Sequence, residues 1–171
     1  MEKYITIKWD SPENIEHVLD TENQSEAEKK RFNATSRLYY VTGTYARTGE
    51  KRIYIGKAGD TSVYDRIKDH KEKHDILYGC SNVQVRIGTI VNTNNLNINC
   101  ENVDLVDQAE SILIHEFKRF KKEIGNKMID NEQKVDSYTK CYDIKGICNL
   151  GDIDEMPKKL TTLFHNSRYK Q

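Results

Sequence analysis

Between residues 83 and 123 the hydrophobic period changes from two to nearly four, and this change limits the possible folds more than any other feature of the chain. Val83, Val85, Ile87 and Val91 alternate with other residues, which puts them on one face of a half-buried strand. After an asparagine-rich stretch over 92–102, Val106, Ala109, Leu113, Phe117 and Phe120 recur at helical spacing and predict a long helix over 104–123. The polar stretch between them cannot build a core, and long loops in compact domains are often functional.

Upstream, 38–42 and 52–55 are rich in β-branched and aromatic residues, with a short polar join containing Gly49. That pattern predicts a β-hairpin. Gly56 and Gly59 are expected to end its second strand. Asp60 or Thr61 is expected to cap a helix over 62–74, with Val63, Tyr64 and Ile67 facing inward. The order β-β-α-β-α implies an α/β fold of the α+β type, a small mixed or antiparallel sheet flanked by helices. Residues 37–151 form the expected main domain. Residues 1–36 read as a peripheral N-terminal extension, with a short strand at Tyr4, Ile5 and Ile7 and a helix opening at Ser11-Pro12-Glu13. A polar helix or linker follows over 21–31, and 152–171 reads as a C-terminal tail.

Composition removes several functional classes. The chain has 171 residues, enough for one core, and 32% of them are charged. It shows neither an apolar run of membrane-spanning length nor a signal-peptide pattern, so a cytoplasmic protein with no membrane partner is expected. The four cysteines form no C-x-x-C pair and are expected to be reduced. Lys plus Arg equals Asp plus Glu at 27 each. A non-specific nucleic-acid coat usually carries a basic excess, so any such partner is expected to be held by local basic patches.

Three groups of residues stand out, each with an ordinary alternative. Glu110 lies in the apolar stripe of the last helix, beside Val106, Leu113 and Phe117. A carboxylate there is costly unless paired, with an arginine or with a hard cation. Arg66 and His70, spaced i and i+4, project from one side of a helix. They are either solvated surface or a phosphate clamp with a proton carrier. Tyr39 and Tyr54 occupy opposite strands of the hairpin, as packing or as two phenols brought together.

Taken in order, the elements form a pattern. Arg37-Leu38-Tyr39, then Tyr54-Ile55-Gly56-Lys57-Ala58, then Arg66-x-x-x-His70, then Gln108-Ala109-Glu110 before Leu113-Ile114, resembles the GIY-YIG nuclease superfamily. The resemblance covers roughly 38–131, with an extension to Gly151 left open. Its first motif is degenerate, and Tyr39 rather than Tyr40 aligns with the motif tyrosine because Val41 then fits. The hairpin is longer than usual. The final asparagine aligns best with Asn131, with Asn126 and Asn149 as alternatives.

The resemblance implies a metal-dependent endonuclease that hydrolyses phosphodiester bonds in DNA, restriction-type or stand-alone, acting as a monomer or homodimer on double-stranded DNA. Glu110 would hold Mg²⁺, with Mn²⁺ able to substitute. Arg66 would neutralise the non-bridging oxygens, and Lys57 would touch the substrate. Tyr39 would take the proton of the attacking water and His70 would receive it, while Tyr54 orients the phosphate and Asn131 braces the site. Tyr39 can do this near neutrality only if nearby positive charge lowers its pKa. The competing expectations are an inactive nucleic-acid-binding module of the same fold and a non-nuclease interaction domain.

Overall fold

The computed structural model describes residues 4–74, 78–91, 104–123, 144–151, 153 and 156–161. The architecture is a mixed α+β arrangement: seven strands form one sheet, with helices on both of its faces. The strands are β1 (Tyr4–Trp9), β2 (Glu13–Asn14), β3 (Arg37–Tyr45), β4 (Lys51–Ala58), β5 (Cys80–Val91), β6 (Gly146–Leu150) and β7 (Lys159–Thr161). Their order is β4-β3-β5-β1-β6-β7, with β2 pairing β5. β1 and β6 run parallel and the other pairs are antiparallel. The N-terminal segment therefore supplies an interior strand, and the C-terminal segment supplies the strand at one edge. β4 forms the opposite edge.

Four helices complete the fold: α1 (Ile15–Leu19), α2 (Glu26–Phe32), α3 (Val63–Asp69) and α4 (Leu105–Glu123). The caps differ from those expected. Asn14 caps α1 in place of Ser11, because residues 13 and 14 are drawn into the sheet as β2. Ser62 caps α3 in place of Asp60 or Thr61, its hydroxyl accepting from the Asp65 N–H. The polar stretch before Arg31 resolves into α2, opened by a capping box between Ser25 and Glu28. After Asp69, α3 widens into a π-helical turn, His70–His74.

Strand alternation divides the interior into two cores. Leu38 and Tyr40 of β3, Ile53 and Ile55 of β4, and Ile5, Ile7 and Trp9 of β1 pack beneath Val106, Ala109, Leu113 and Phe117 of α4. Burying each large apolar side chain contributes about 1.5–3 kcal/mol, which makes this layer the main anchor of α4. Tyr39, Val41, Ala58, Val85 and Ile87 point the other way, against Val18, Phe32, Val63 and Ile67. Tyr64 is half-buried at the border of that second core. Val83 and Val91 are half-buried as well, so the expected inward face of β5 is fully covered only at Val85 and Ile87.

Gly56 does not end β4 as expected but lies within it, opposite Tyr39. A Cβ at this position would overlap the Tyr39 ring and hydroxyl. The missing side chain is what lets the tyrosine ring lie across the neighbouring strand. Cys80 and Cys148 form no disulfide among the described residues, and Cys100 and Cys141 lie outside them. Among the described residues no helix is long and apolar enough to cross a membrane.

Candidate active site

Tyr39 is fully buried on the second-core face of β3, and its ring passes over Gly56 towards the end of α3. There its hydroxyl lies 2.7 Å from Nε2 of His70. Tyr54, two residues before Gly56 on β4, stacks on Tyr39 with ring centroids 6.2 Å apart and planes 21° apart. Its hydroxyl is 3.4 Å from the same His70 nitrogen, and its ring meets the imidazole edge-on at 5.0 Å. Two phenols thus converge on one imidazole. Tyr40 lies on the other face, packed against Trp9 and Phe117, so Tyr39 is the tyrosine that faces Tyr54.

Arg66 and His70 come from the same side of α3, as their spacing predicts. His70 ends the helix, its backbone N–H donating to the carbonyls of Arg66 and Ile67, and it begins the π-helical turn. The positive charge of Arg66 acts on both phenols. Single π-turns inside α-helices concentrate at functional sites, where they re-aim side chains.

Glu110 approaches from the other layer. The edge strand β4 sends Tyr54 and Gly56 to one face and Ile53, Ile55 and Lys57 to the other. Lys57 therefore faces α4, where its ammonium contacts Asp107 and lies 4.0 Å from Glu110. The negative charge of Glu110 acts on both tyrosines across this edge. The side chains of Lys57, Asp107 and Glu110 are 19%, 25% and 18% exposed, so the cluster is open at its rim. Lys57, expected at the substrate, is thus held against two carboxylates. Asp107 was not among the expected site residues, although its i, i+3 spacing from Glu110 puts both on one helix face.

The electrostatics reverse one expectation. Tyr39 is pushed well above the usual range of a phenol, first by burial and then by the adjacent Tyr54. The Arg66 guanidinium pulls the other way but does not prevail. Tyr54 is raised as well, by burial and then by Glu110. The positive charge of Arg66 therefore does not bring the Tyr39 pKa below its ordinary value, because burial outweighs it. As a neutral phenol, Tyr39 donates to Nε2 whenever that nitrogen carries its lone pair.

Asp107 and Glu110 offer carboxylate oxygens on one helix face, a hard donor set that suits a small divalent cation. Among the described residues no group of three or more His, Cys, Asp or Glu is arranged around a common point. The protein would thus contribute one or two ligands and water the remainder, which is how Mg²⁺ is ordinarily held.

The structure brings Tyr39, Tyr54, Arg66 and His70 together, with Glu110 and Lys57 at the edge beside them. Asn131, Asn126 and the 92–102 loop lie outside the described residues. Asn149 belongs to a different part of the molecule. Its carbonyl oxygen accepts from the Trp9 indole at 2.9 Å, and its amide donates to the Pro157 carbonyl at 2.9 Å. Comparison with family models, curated proteins and solved structures finds no match to this chain.

Proposed function

We propose that the protein is a metal-dependent endonuclease that hydrolyses phosphodiester bonds in double-stranded DNA. The observation that carries this reading is the convergence of Tyr39 and Tyr54 on His70, with the charges of Arg66 and Glu110 acting on both phenols. These are the residues that the GIY-YIG resemblance picks out, and they come from four separate elements.

In the proposed reaction Arg66 neutralises the non-bridging oxygens of the scissile phosphate through charge-assisted hydrogen bonds. Tyr54 orients the phosphate or the incoming water. The Tyr39 oxygen takes a proton from that water while its own proton passes to Nε2 of His70. A free phenolate, which burial disfavours, never has to accumulate. The water oxygen bonds to phosphorus, the bond to the leaving oxygen breaks, and solvent protonates that oxygen. Glu110, with Asp107 beside it, would hold Mg²⁺ or Mn²⁺, which when bound supplies Lewis-acid stabilisation of the leaving oxygen.

A second reading, nucleic-acid binding without cleavage, draws support from Lys57. Its ammonium already supplies positive charge beside Asp107 and Glu110, where a cation would sit. Incubation with supercoiled and branched DNA, in Mg²⁺ and in EDTA, separates the two. Nicking that requires Mg²⁺ supports the nuclease; salt-sensitive binding without nicking supports the binding module; neither result supports an interaction domain that takes no nucleic acid.

A further inference from the structure

We propose that the cleft between α2 and the start of β3 is a second phosphate-binding subsite, which grips the nucleic-acid backbone about one or two nucleotides from the scissile bond. The proposal rests on the nuclease reading only for that distance; the cleft itself is a separate feature. It is a depression of about 320 Å³ lined by Lys30, Arg31, Arg37, Thr89 and Asp10 among others. On a chain with no net charge, three cations around one small depression are a local concentration of the kind a polyanion needs.

The three cations are not equally committed. Lys30 is exposed and has no ion-pair partner among the described residues. Arg31 gives one amino group to Glu13 at 2.8 Å and lies over the Phe32 ring, 4.7 Å from its centroid. Its buried Nε–H has no partner among the described residues. Arg37 uses Nη1 to hold the carbonyls of Thr35 and Ser36 at 3.2 and 3.1 Å, which leaves its other N–H groups uncommitted among those residues. Asp10 is the single carboxylate of the lining and only partly offsets these charges.

The cleft is also built rigidly. The Ser25–Glu28 capping box opens α2, and Glu28 is tied at 3.0 Å to His17 of α1. Ser36, immediately before Arg37, is held at φ 52°, a left-handed conformation rare for residues other than glycine. Its N–H donates to the Gly59 carbonyl, and the Ala34 carbonyl accepts from Val63. Position relates the cleft to the site. Arg37 and Tyr39 are alternate residues of β3 and share a face. Such residues lie ~7 Å apart along a strand, the length of about two nucleotide rises.

The test is fluorescence anisotropy of a labelled DNA duplex with the full chain in EDTA, across a salt series. Removing Lys30 and Arg37 together by alanine should lower the slope of log affinity against log salt by about 2, at roughly 0.9 per phosphate contact. Lys30→Ala alone, which disturbs no described contact, should lower it by about 1. Lys158→Ala, near the opposite edge of the sheet, should leave it unchanged. An unchanged slope in both cleft variants overturns the subsite, and if the wild type still nicks DNA the nuclease reading stands without it. Cleft-dependent binding with no Mg²⁺-dependent nicking keeps the subsite and removes the nuclease. A wild type that binds no DNA removes both.

Discussion

The Tyr39 hydroxyl and Nε2 of His70 lie 2.7 Å apart, so a buried strand residue and a helix-terminal residue share one proton across 31 positions of sequence. Burial keeps that phenol neutral, and the imidazole is the group placed to take its proton. In the proposed reaction the pair would act as a relay rather than as a pre-formed phenolate.

Removing the hydroxyl while keeping the ring isolates this role. Tyr39→Phe should fold, at a stability cost of about 1 kcal/mol for the lost hydrogen bond. It should slow DNA nicking by roughly a hundredfold or more, within the range for losing a general base. Single-turnover nicking beside a denaturant midpoint checks both parts. A rate within tenfold of wild type would mean that Tyr39 packs but does not move protons.

Gly56 tests the same geometry from the opposite strand. In Gly56→Ala the new methyl overlaps the Tyr39 ring, so the tyrosine must move. The expected cost is about 1–3 kcal/mol of stability, typical of overpacking, together with loss of nicking. Gly59→Ala is the control, because a Cβ there meets nothing within 4 Å. Its denaturant midpoint should stay close to that of wild type. Equal effects from the two substitutions would contradict the packing of Tyr39 on Gly56.

The legibility of the fold follows from which interactions are local. The hairpin, α3, β5 and α4 each announce themselves through a period or a turn residue within about twenty positions. The interior position of β1 does not, because its parallel register with β6 joins residues such as Ile5 and Ile147, and nothing local in either segment encodes it. Residues 1–36 consequently look peripheral in the sequence, although within them residues 4–36 supply β1 and β2 to the sheet and one wall of the basic cleft. At the site, Tyr39, Tyr54, Arg66, His70 and Glu110 were legible as an ordered pattern. The contact of Lys57 with Asp107 was not, since it depends on which face of an edge strand meets which turn of α4. Gly56 looked like a strand terminator because a glycine that admits a neighbour's ring has the same sequence signature as one that ends a strand.

Lys57 sets the charge beside Glu110. Lys57→Met removes the ammonium that faces two carboxylates and leaves their negative charges to repel each other. The Mg²⁺ concentration that half-saturates nicking should then fall severalfold, because a divalent cation no longer shares the site with a lysine. A Mg²⁺ titration of the nicking rate measures this. A higher half-saturating concentration would show that Lys57 assists the cation rather than competing with it.

The α1–α2 contact gives a pH signature away from the site. Hydrogen bonds from Ser25 and then His17 hold the Glu28 carboxyl down to about 2, from an ordinary value of 4.5. The Glu28 hydrogen bond in turn raises His17 above 6.5. A depressed carboxyl stabilises the fold above its unfolded value and loses that contribution as pH falls from 4.5 towards 2. A raised histidine stabilises it below 6.5 and loses that contribution as pH rises through its folded value. The melting temperature of wild type should therefore exceed that of Glu28→Gln by most between about pH 4.5 and 6.5. The gap should narrow on either side. A gap that does not vary with pH would contradict the pairing.

The most direct measurement is plasmid nicking by the Glu110→Ala variant, with DNA binding measured on the same preparation. Loss of Mg²⁺-dependent nicking, with affinity for DNA kept or increased because a negative charge near the phosphate is gone, is the predicted result. Wild-type nicking at full rate in EDTA, or a Glu110→Ala protein that nicks as fast as wild type, would contradict it.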